Sequence, residues 1–484
     1  MPWPVLTVNQ MRAWESASWT AGIRSGDVIA RVGRRIGEWL LAQTSPHDAL
    51  IFLVGRGHNG DDARAAAQWI GWRRPQQLIA VPDPVAATEP IATALRTARR
   101  DSPRVWVIDG LFGIGLNREF TAPWRELIER LNDQTAGPEF RIVAIDVPSG
   151  LRDDFGGTAG AMVAATHTLT VGAPKRGLIG LAAAGRVEVL SDIGLIKAEV
   201  LASESGLGNS NDLTDDRPTS LHWQTGRDFG GFPPRRSAAA HKGSQGHLLI
   251  VAGSLGYHGA AVLAARAALR AGTGLVTVVC DSSAYGPIAA QLAQPMVQPW
   301  TEPWVIPESV TAVVIGPGLA ARTLSPGFKA WNQSLWQGFP RTVLADASAL
   351  DWIAQLPPPT ASRLITPHPG EAARLLATTT RSVQADRIAA VQSLQKRYGG
   401  VVVLKGHHTL IANGLTVTVN PSGNPGLAQG GTGDVLTGFL GGWLARGIPA
   451  DQAARYSVWE HGAAADRLGH LPIWTTEELI GAMR

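Results

Sequence analysis

The sequence is poor in residues that make covalent or metal staples. Cys280 is its only cysteine, which excludes an internal disulfide and a cysteine-based zinc site and fits a reducing compartment. A buried structural thiol is the expected role. Long apolar runs are also missing. No segment supplies the ~20 apolar residues of a membrane span, and MPWPVLTVNQMRAWE lacks the basic and apolar blocks of a secretory leader. A cytoplasmic protein without membrane contact is expected. Charge of one sign is scarce too: 43 Lys and Arg against 39 Asp and Glu leave a net charge of +4. No basic run interleaved with aromatics reads as a nucleic-acid stripe, so nucleic acid is not an expected partner. Only six of the cations are lysines, and a lysine inside a motif therefore carries weight.

What is present is apolar and periodic. A chain of 484 residues with 45% hydrophobic composition is long enough for two or three domains, each with its own core. After a long helical start from about Val8 to Leu41, short aliphatic runs alternate with helical patterns: ALIFLV (49–54), QLIAV (77–81), VWVI (105–108), RIVAI (141–145) and HTLTV (167–171). That alternation predicts a parallel sheet covered on both faces. Between about Leu201 and Arg236 the chain turns polar and rich in turn residues, which reads as a linker. Alternation then resumes with GHLLIVAG (246–253), GLVTVVC (274–280), TAVVIG (311–316), RTVLAD (341–346), RLIT (363–366) and GVVVLKG (400–406). A hairpin turning on Asn413-Gly414 follows. The chain closes on two helical patterns, and two α/β domains are expected.

In the first domain VGRGHNGDDARAAAQWI places Gly55, Gly57 and Gly60 in a G-x-G-x-x-G array that opens a helix. A dinucleotide site, with Asp83 as the ribose-binding acid, and a plain strand-to-helix turn both account for it. WVIDGLFGIGL and VAIDVPSGL each end a strand with an aspartate before a glycine turn. Asp109 and Asp146 would therefore share with Asn59 the carboxyl edge of the sheet, where open α/β sheets bind ligands. Their oxygens suit a hard cation, although each aspartate alone could be a cap or turn residue.

In order and spacing, GRGHNGDD, DGLFGIGL, IDVPSGL and GAPKRGL resemble the NAD(P)H-hydrate epimerase domain across nearly all of residues 1–200. The resemblance implies a Rossmann-like three-layer fold that interconverts the R and S epimers of hydrated NAD(P)H. It also implies a potassium ion on Asn59, Asp109 and Ser149, with Asp146 catalytic beside the reacting carbon. The nucleotide would lie against His58, Asn59, Gly60, Asp61 and Asp62 and against Gly113, Ile114, Gly115, Leu116, Asn117, Arg118 and Glu119. This chain departs from the family's Asn-Asn-Gly-Gly-Asp-Gly by reading His58-Asn59-Gly60-Asp61-Asp62-Ala63, so Asp61 adds negative charge to a tight loop. Ile29-Ala30-Arg31-Val32-Gly33 likewise replaces Met-Glu-Asn-Ala-Gly. The retained Asn59, Asp109, Asp146 and Ser149 imply an active epimerase.

In the second domain, glycines or polar residues follow the strand ends, a rim suited to a nucleotide phosphate although no Walker loop is present. Lys405, with Gly406 and Thr409, can offer a charge, a close backbone and a hydroxyl to a phosphate; a solvated strand-end lysine is the plain alternative. His368 is framed by prolines in TPHPGE, ahead of Glu371, and is read as a ligand contact. In GNPGLAQGGTGDVLTG the glycines Gly430, Gly431 and Gly433 let the backbone close on an anion. Asp434 falls in the first turn of the helix behind them. A carboxylate beside phosphates opposes ground-state binding, so a base acting on an attacking hydroxyl is the sharper reading. A dipole-stabilising acid, worth about 0.3–1 kcal/mol, is the plainer one.

HKGSQGH, TPHPGE, KGHHTL and GNPGLAQGGTGDVLTG are similar to the ADP-dependent NAD(P)H-hydrate dehydratase domain, of ribokinase-like fold, over about residues 226–484. The resemblance implies that (S)-NAD(P)HX and ADP give NAD(P)H, AMP and phosphate, with Mg2+. Ala260, Gly318, His368 and Asp434 would meet the hydrated nucleotide, with Asp434 as catalytic base. Lys405, Gly406, His407, His408, Thr409 and Gly433 would meet ADP. Ser348 and the pair His407-His408 depart from the family pattern without removing the base or the lysine. The expected organisation is an epimerase domain over 1–205, a linker over 206–225 and a dehydratase domain over 226–484, in a homo-oligomer. A ribokinase-like small-molecule kinase carrying a degenerate ligand-binding N-terminal module is the rival reading.

Overall fold

The computed structural model describes residues 3–196, 220–353, 356, 362–469, 471 and 473–484. The chain forms two compact units, Trp3–Asp216 and Arg217–Arg484. Most of the expected linker, residues 206–219, lies outside the described residues.

The N-terminal unit holds a short strand β1 (Trp3–Pro4) and a sheet of β2 (Ala49–Val54), β3 (Gln76–Ala80), β4 (Val105–Gly110), β5 (Phe140–Ile145), β6 (His167–Val171) and β7 (Arg186–Leu190). The sheet order is β3-β2-β4-β5-β6-β7 and every neighbouring pair is parallel. β2 is buried at all its positions because alternate residues enter different cores. Ile51 and Leu53 pack on one face with Ile91, Leu95 and Ile128, while Leu50, Phe52 and Val54 pack on the other with Val32, Ile36 and Leu40. The expected single N-terminal helix is two: Val8–Thr20, closed by Thr7 and Gln10 in a capping box, and Ser25–Gln43. Ala21-Gly22 separates them, with Gly22 at φ 88°. β7 has too short a pattern, RVEVL, to stand out in the sequence.

The C-terminal unit contains β8 (Ser220–Trp223), β9 (His247–Val251), β10 (Leu275–Cys280), β11 (Met296–Pro299), β12 (Ala312–Ile315), β13 (Thr342–Ala345), β14 (Arg363–Ile365), β15 (Val401–Leu404), β16 (Thr409–Asn413) and β17 (Thr416–Asn420). They follow the order β8-β17-β16-β15-β14-β13-β12-β9-β10-β11. β15 with β16 and β16 with β17 are antiparallel; β8 pairs parallel to β17. β8 thus corrects the linker reading of residues 220–223: Trp223 is buried and the strand is part of the sheet. The hairpin loop is Gly414-Leu415, one residue later than expected, with Gly414 at φ 58°. Cys280 ends β10 as a buried free thiol, pushed up to about 12 by burial.

The helix Thr432–Ala445 is apolar on nearly every side and is buried accordingly. It packs on the alanine-rich helix His258–Arg270, where a Cβ at Gly438 would fall 2.0 Å from the Ala264 carbonyl oxygen. Two helices follow it, Ala450–Leu468 and the short Thr476–Ala482. Among the described residues no helix is long and apolar enough to cross a membrane.

Candidate functional site

In the N-terminal unit the ends of β2, β4, β5 and β6 surround a cavity of about 500 Å³. Its wall includes Arg12, Glu15, His58, Asn59, Asp62, residues 111–118, Asp146 and Lys175. Gly57 caps the helix His58–Ile70, so His58 and Asn59 stand at an N-terminus whose free N–H groups favour an anion. Asp146 follows β5 at φ 66°, an uncommon conformation for a residue other than glycine. The carboxylate accepts from the Val171 N–H at 3.1 Å and from Lys175 Nζ. Lys175 is 1% exposed and donates also to the Val171 carbonyl at 2.6 Å. A buried ammonium is therefore aimed at one catalytic candidate. Burial, then the charge of Asp146, raises both Glu15 and Asp62 above the usual carboxylate range.

Beside this cavity lies a buried oxygen cluster. Asp109 accepts from the Ser149 hydroxyl at 2.6 Å, the Ser149 N–H at 2.8 Å and the Leu111 N–H at 3.2 Å. Burial pushes Asp109 up to about 6, against the opposing pull of the Ser149 and Leu111 hydrogen bonds. The Asn59 amide donates to the carbonyls of Ile145 at 2.7 Å and Phe112 at 3.0 Å. The three residues expected around potassium thus converge. With the Asn59 amide nitrogen used as a hydrogen-bond donor, the atoms these residues can offer a cation are all oxygen, and Asp109 brings a single carboxylate, a set matched to a monovalent hard cation.

Several expected contacts fall elsewhere. Asp61 points outward and pairs with Arg64 at 2.8 Å, one helical turn away. Glu119 pairs with Arg152. Neither belongs to the cavity wall, because the helix and the 113–119 loop turn their side chains aside. Asp83, the possible ribose acid, caps the helix Pro84–Asp101 by accepting from the Ala86 N–H at 2.9 Å. Lys175 lies in the quoted GAPKRGL stretch, but only the pairing of β5 with β6 reveals its partner.

In the C-terminal unit Gly431, at φ 91°, caps the helix Thr432–Ala445 and sets Asp434 in its first turn. Lys405, just past β15, donates to Asp346 at 2.8 Å and lies 3.9 Å from Glu371. A Cβ at Gly433 would meet Lys405 Nζ at 3.6 Å, so the glycine loop and the lysine share one space. Asp346 is 1% exposed and accepts from the Thr437 hydroxyl at 2.6 Å, which ties the helix to the end of β13. Burial pushes Asp434 up to about 7; Asp346 and Glu371 push the same way and Lys405 opposes them. A carboxyl that exchanges its proton near neutral pH suits a general base. His461 is held near 4 by burial and meets the Thr432 carbonyl oxygen at 2.9 Å, so a neutral ring supports the first turn.

Ala260 and Gly318 come together as expected: a Cβ at Gly318 would lie 2.9 Å from that of Ala260. Leu263, one turn along the same helix, packs on Gly431. His368 caps the helix Pro369–Leu375, its Nδ1 accepting from Gly370 at 3.0 Å and Glu371 at 3.3 Å. Its Nε2 faces Glu371 at 3.5 Å. The Thr409 hydroxyl donates back to the Gly406 carbonyl at 2.9 Å. The His408 ring is buried against Trp223, with centroids 4.9 Å apart, while His407 stacks on it from the exposed side. Of the two rings only that of His407 is exposed at this segment. In the sequence Asp346 only closes the run RTVLAD; its tie to Lys405 and Thr437 needs the fold.

With these geometries in view, two family models match the chain. One described as NAD(P)H-hydrate dehydratase matches residues 248–479, and one described as YjeF-related protein N-terminus matches residues 73–177. The chain is 35% identical over 487 residues to the bifunctional NAD(P)H-hydrate repair enzyme Nnr of Coxiella burnetii, covering 95% of this chain and 93% of that protein. It is 40% identical over 251 residues to the ADP-dependent (S)-NAD(P)H-hydrate dehydratase of Neisseria meningitidis, covering 50% of this chain and 84% of that protein. A solved Bacillus subtilis ADP/ATP-dependent NAD(P)H-hydrate dehydratase, co-crystallised with ATP and Mg2+, aligns at 30% identity and a TM-score of 0.47. That alignment covers 51% of this chain and 91% of that one.

Proposed function

The chain belongs to the bifunctional NAD(P)H-hydrate repair enzymes, and from that premise we propose that its two units divide the repair between them. The N-terminal unit interconverts (R)- and (S)-NAD(P)HX. The C-terminal unit dehydrates the S epimer with ADP, giving NAD(P)H, AMP and phosphate. The observation that carries this reading is Asp434, poised near neutrality in the first turn behind a glycine loop and beside Lys405.

In the dehydratase site the glycines and Lys405 receive the phosphates of the nucleotide. Asp434 takes the proton of the ring hydroxyl as that oxygen attacks the terminal phosphorus of ADP, and AMP leaves. Phosphate then leaves its ring carbon and the adjacent carbon gives up a proton to solvent, restoring the double bond of NAD(P)H. Ala260, Gly318 and His368 bound the hydrated ring. Among the described residues no group of three or more His, Cys, Asp or Glu side chains is arranged to hold a metal ion. A magnesium ion there would take the phosphates as its main ligands and neutralise their charge.

In the epimerase site Asp146 faces the cavity and carries proton exchange at the reacting ring, and Lys175 fixes the carboxylate's orientation. His58 and Asn59 receive the nucleotide's phosphates at the helix N-terminus. Asp109, Ser149 and Asn59 would hold potassium, which would supply positive charge next to those phosphates. The homo-oligomer and the cytoplasmic location belong to the same reading.

Incubation with separated (R)- and (S)-NADHX and either ADP or ATP, followed by NADH absorbance, tests the assignment. Both epimers are expected to be recovered, S directly and R after conversion to S. Recovery of S alone would remove the epimerase; recovery of neither would remove the whole reading.

A further inference from the structure

The charges around Lys405 do not favour a diphosphate by themselves. Asp346 and Glu371 already compensate the ammonium, and Asp434 adds a third carboxylate to the same space. Arg387, at the start of the helix Arg387–Tyr398, is 7% exposed and lies against the loop that follows β15. Its Nη2 donates to the carbonyl oxygen of Leu404, the last residue of β15, at 3.3 Å, and to those of Lys405 and His408 in that loop, each at 3.4 Å. Its Nη1 donates to Gln384 Oε1 at 2.9 Å. Every partner is neutral. Among the described residues no carboxylate pairs with it, and burial alone lowers it to about 10, leaving it cationic at neutral pH.

We propose that Arg387 is a positioning residue for ADP, bracing the Lys405–Thr409 loop through its carbonyls and supplying the uncompensated cation that this acid-rich site needs. The proposal rests on the reading of that loop as the nucleotide-binding segment. Peptide planarity gives the bracing its direction: with the Lys405 carbonyl turned to Arg387, the Gly406 N–H points away from it. Gly406 has φ 136°, and a Cβ there would fall 2.6 Å from Arg387 Nη1. The turn favours glycine here, and a side chain at this position would also push the guanidinium from its place. A buried cation in a medium of low dielectric acts on nearby phosphates more strongly than an exposed one.

The test uses the full chain, with ADP binding by calorimetry and steady-state dehydration of (S)-NADHX. Arg387→Gln is expected to weaken ADP binding and raise the KM for ADP by about tenfold. The KM for (S)-NADHX should stay within about twofold, since the hydrated ring does not depend on this loop. Arg387→Lys keeps the charge without the fork and should fall between. A folded Arg387→Gln protein with native ADP affinity would overturn the proposal. Gln384 is exposed, so Gln384→Ala gives a second variant that retains the fold. A rise of about two- to threefold in the KM for ADP is expected from it, as for one lost charge-assisted bond, and no rise counts against the bracing. Lys405→Ala separates the two levels: if it binds ADP as the native chain does, the nucleotide loop itself is misassigned, and the role of Arg387 falls with it.

Discussion

Both units place an acid beside a helix N-terminus that follows a glycine loop, yet they treat its charge in opposite ways. In the N-terminal unit Asp146 is tied to Lys175, itself almost fully buried. In the C-terminal unit the lysine is tied to Asp346 instead, and Asp434 is left among like charges near neutrality. The first arrangement fixes where a carboxylate points. The second weakens the carboxylate's hold on its charge, first by burying it and then by setting Asp346 and Glu371 near it against the pull of Lys405. On the proposed reading, a shared device, the helix N-terminus that would receive phosphate, is turned to two chemistries by the surroundings of one aspartate.

The largest effect is expected from Asp434→Asn. Dehydration of (S)-NADHX should fall by roughly 100- to 10,000-fold, the range for loss of a positioned base, while R-to-S interconversion measured chromatographically stays native. Retained dehydration would break the base assignment. The same contrast predicts a pH profile. The reactive form of Asp434 is the carboxylate, so with its proton leaving near 7 the native dehydration rate should climb between about pH 6 and 8. A profile flat across that window would show that another group sets the rate.

Lys175→Met should follow, slowing epimerisation by about 100-fold, with a lower melting temperature for the N-terminal unit, because it strands a buried carboxylate. Dehydration of pure S epimer should not change. The smallest effect belongs to Asp61→Gly, which removes the acid by which this loop departs from the pattern it resembles. Asp61 pairs with Arg64 on the exposed side of the helix, and such pairs contribute about 0–1 kcal/mol. Epimerisation should change by less than about twofold; a large gain would mean that the extra acid does reach the nucleotide.

Asp61 marks the limit of sequence reasoning here. Its place in the loop motif suggested negative charge against a ligand, but a helix turns successive residues through about 100°. Asp62 reaches the cavity wall and Asp61 does not. The His407-His408 pair divides in a similar way: one ring goes into the core against Trp223 and the other is exposed. The edge of the expected linker failed for another reason. SLHW has little pattern of its own and becomes a strand because β17 offers it a partner.

The sequence by itself determined the alternation of aliphatic runs and helices, the glycine loops at strand ends, and the acids and lysine within them. These are local: side-chain period, backbone freedom and strand-end position are all written within a few residues. Tertiary structure alone decided which charges face one another. Lys175 reaches Asp146 through the pairing of β5 with β6. Asp346 reaches Thr437 across a gap of 91 positions, and Arg387 reaches the Lys405 loop from a separate helix. Coulomb energy depends on distance in space and on burial, and neither quantity can be read along the chain.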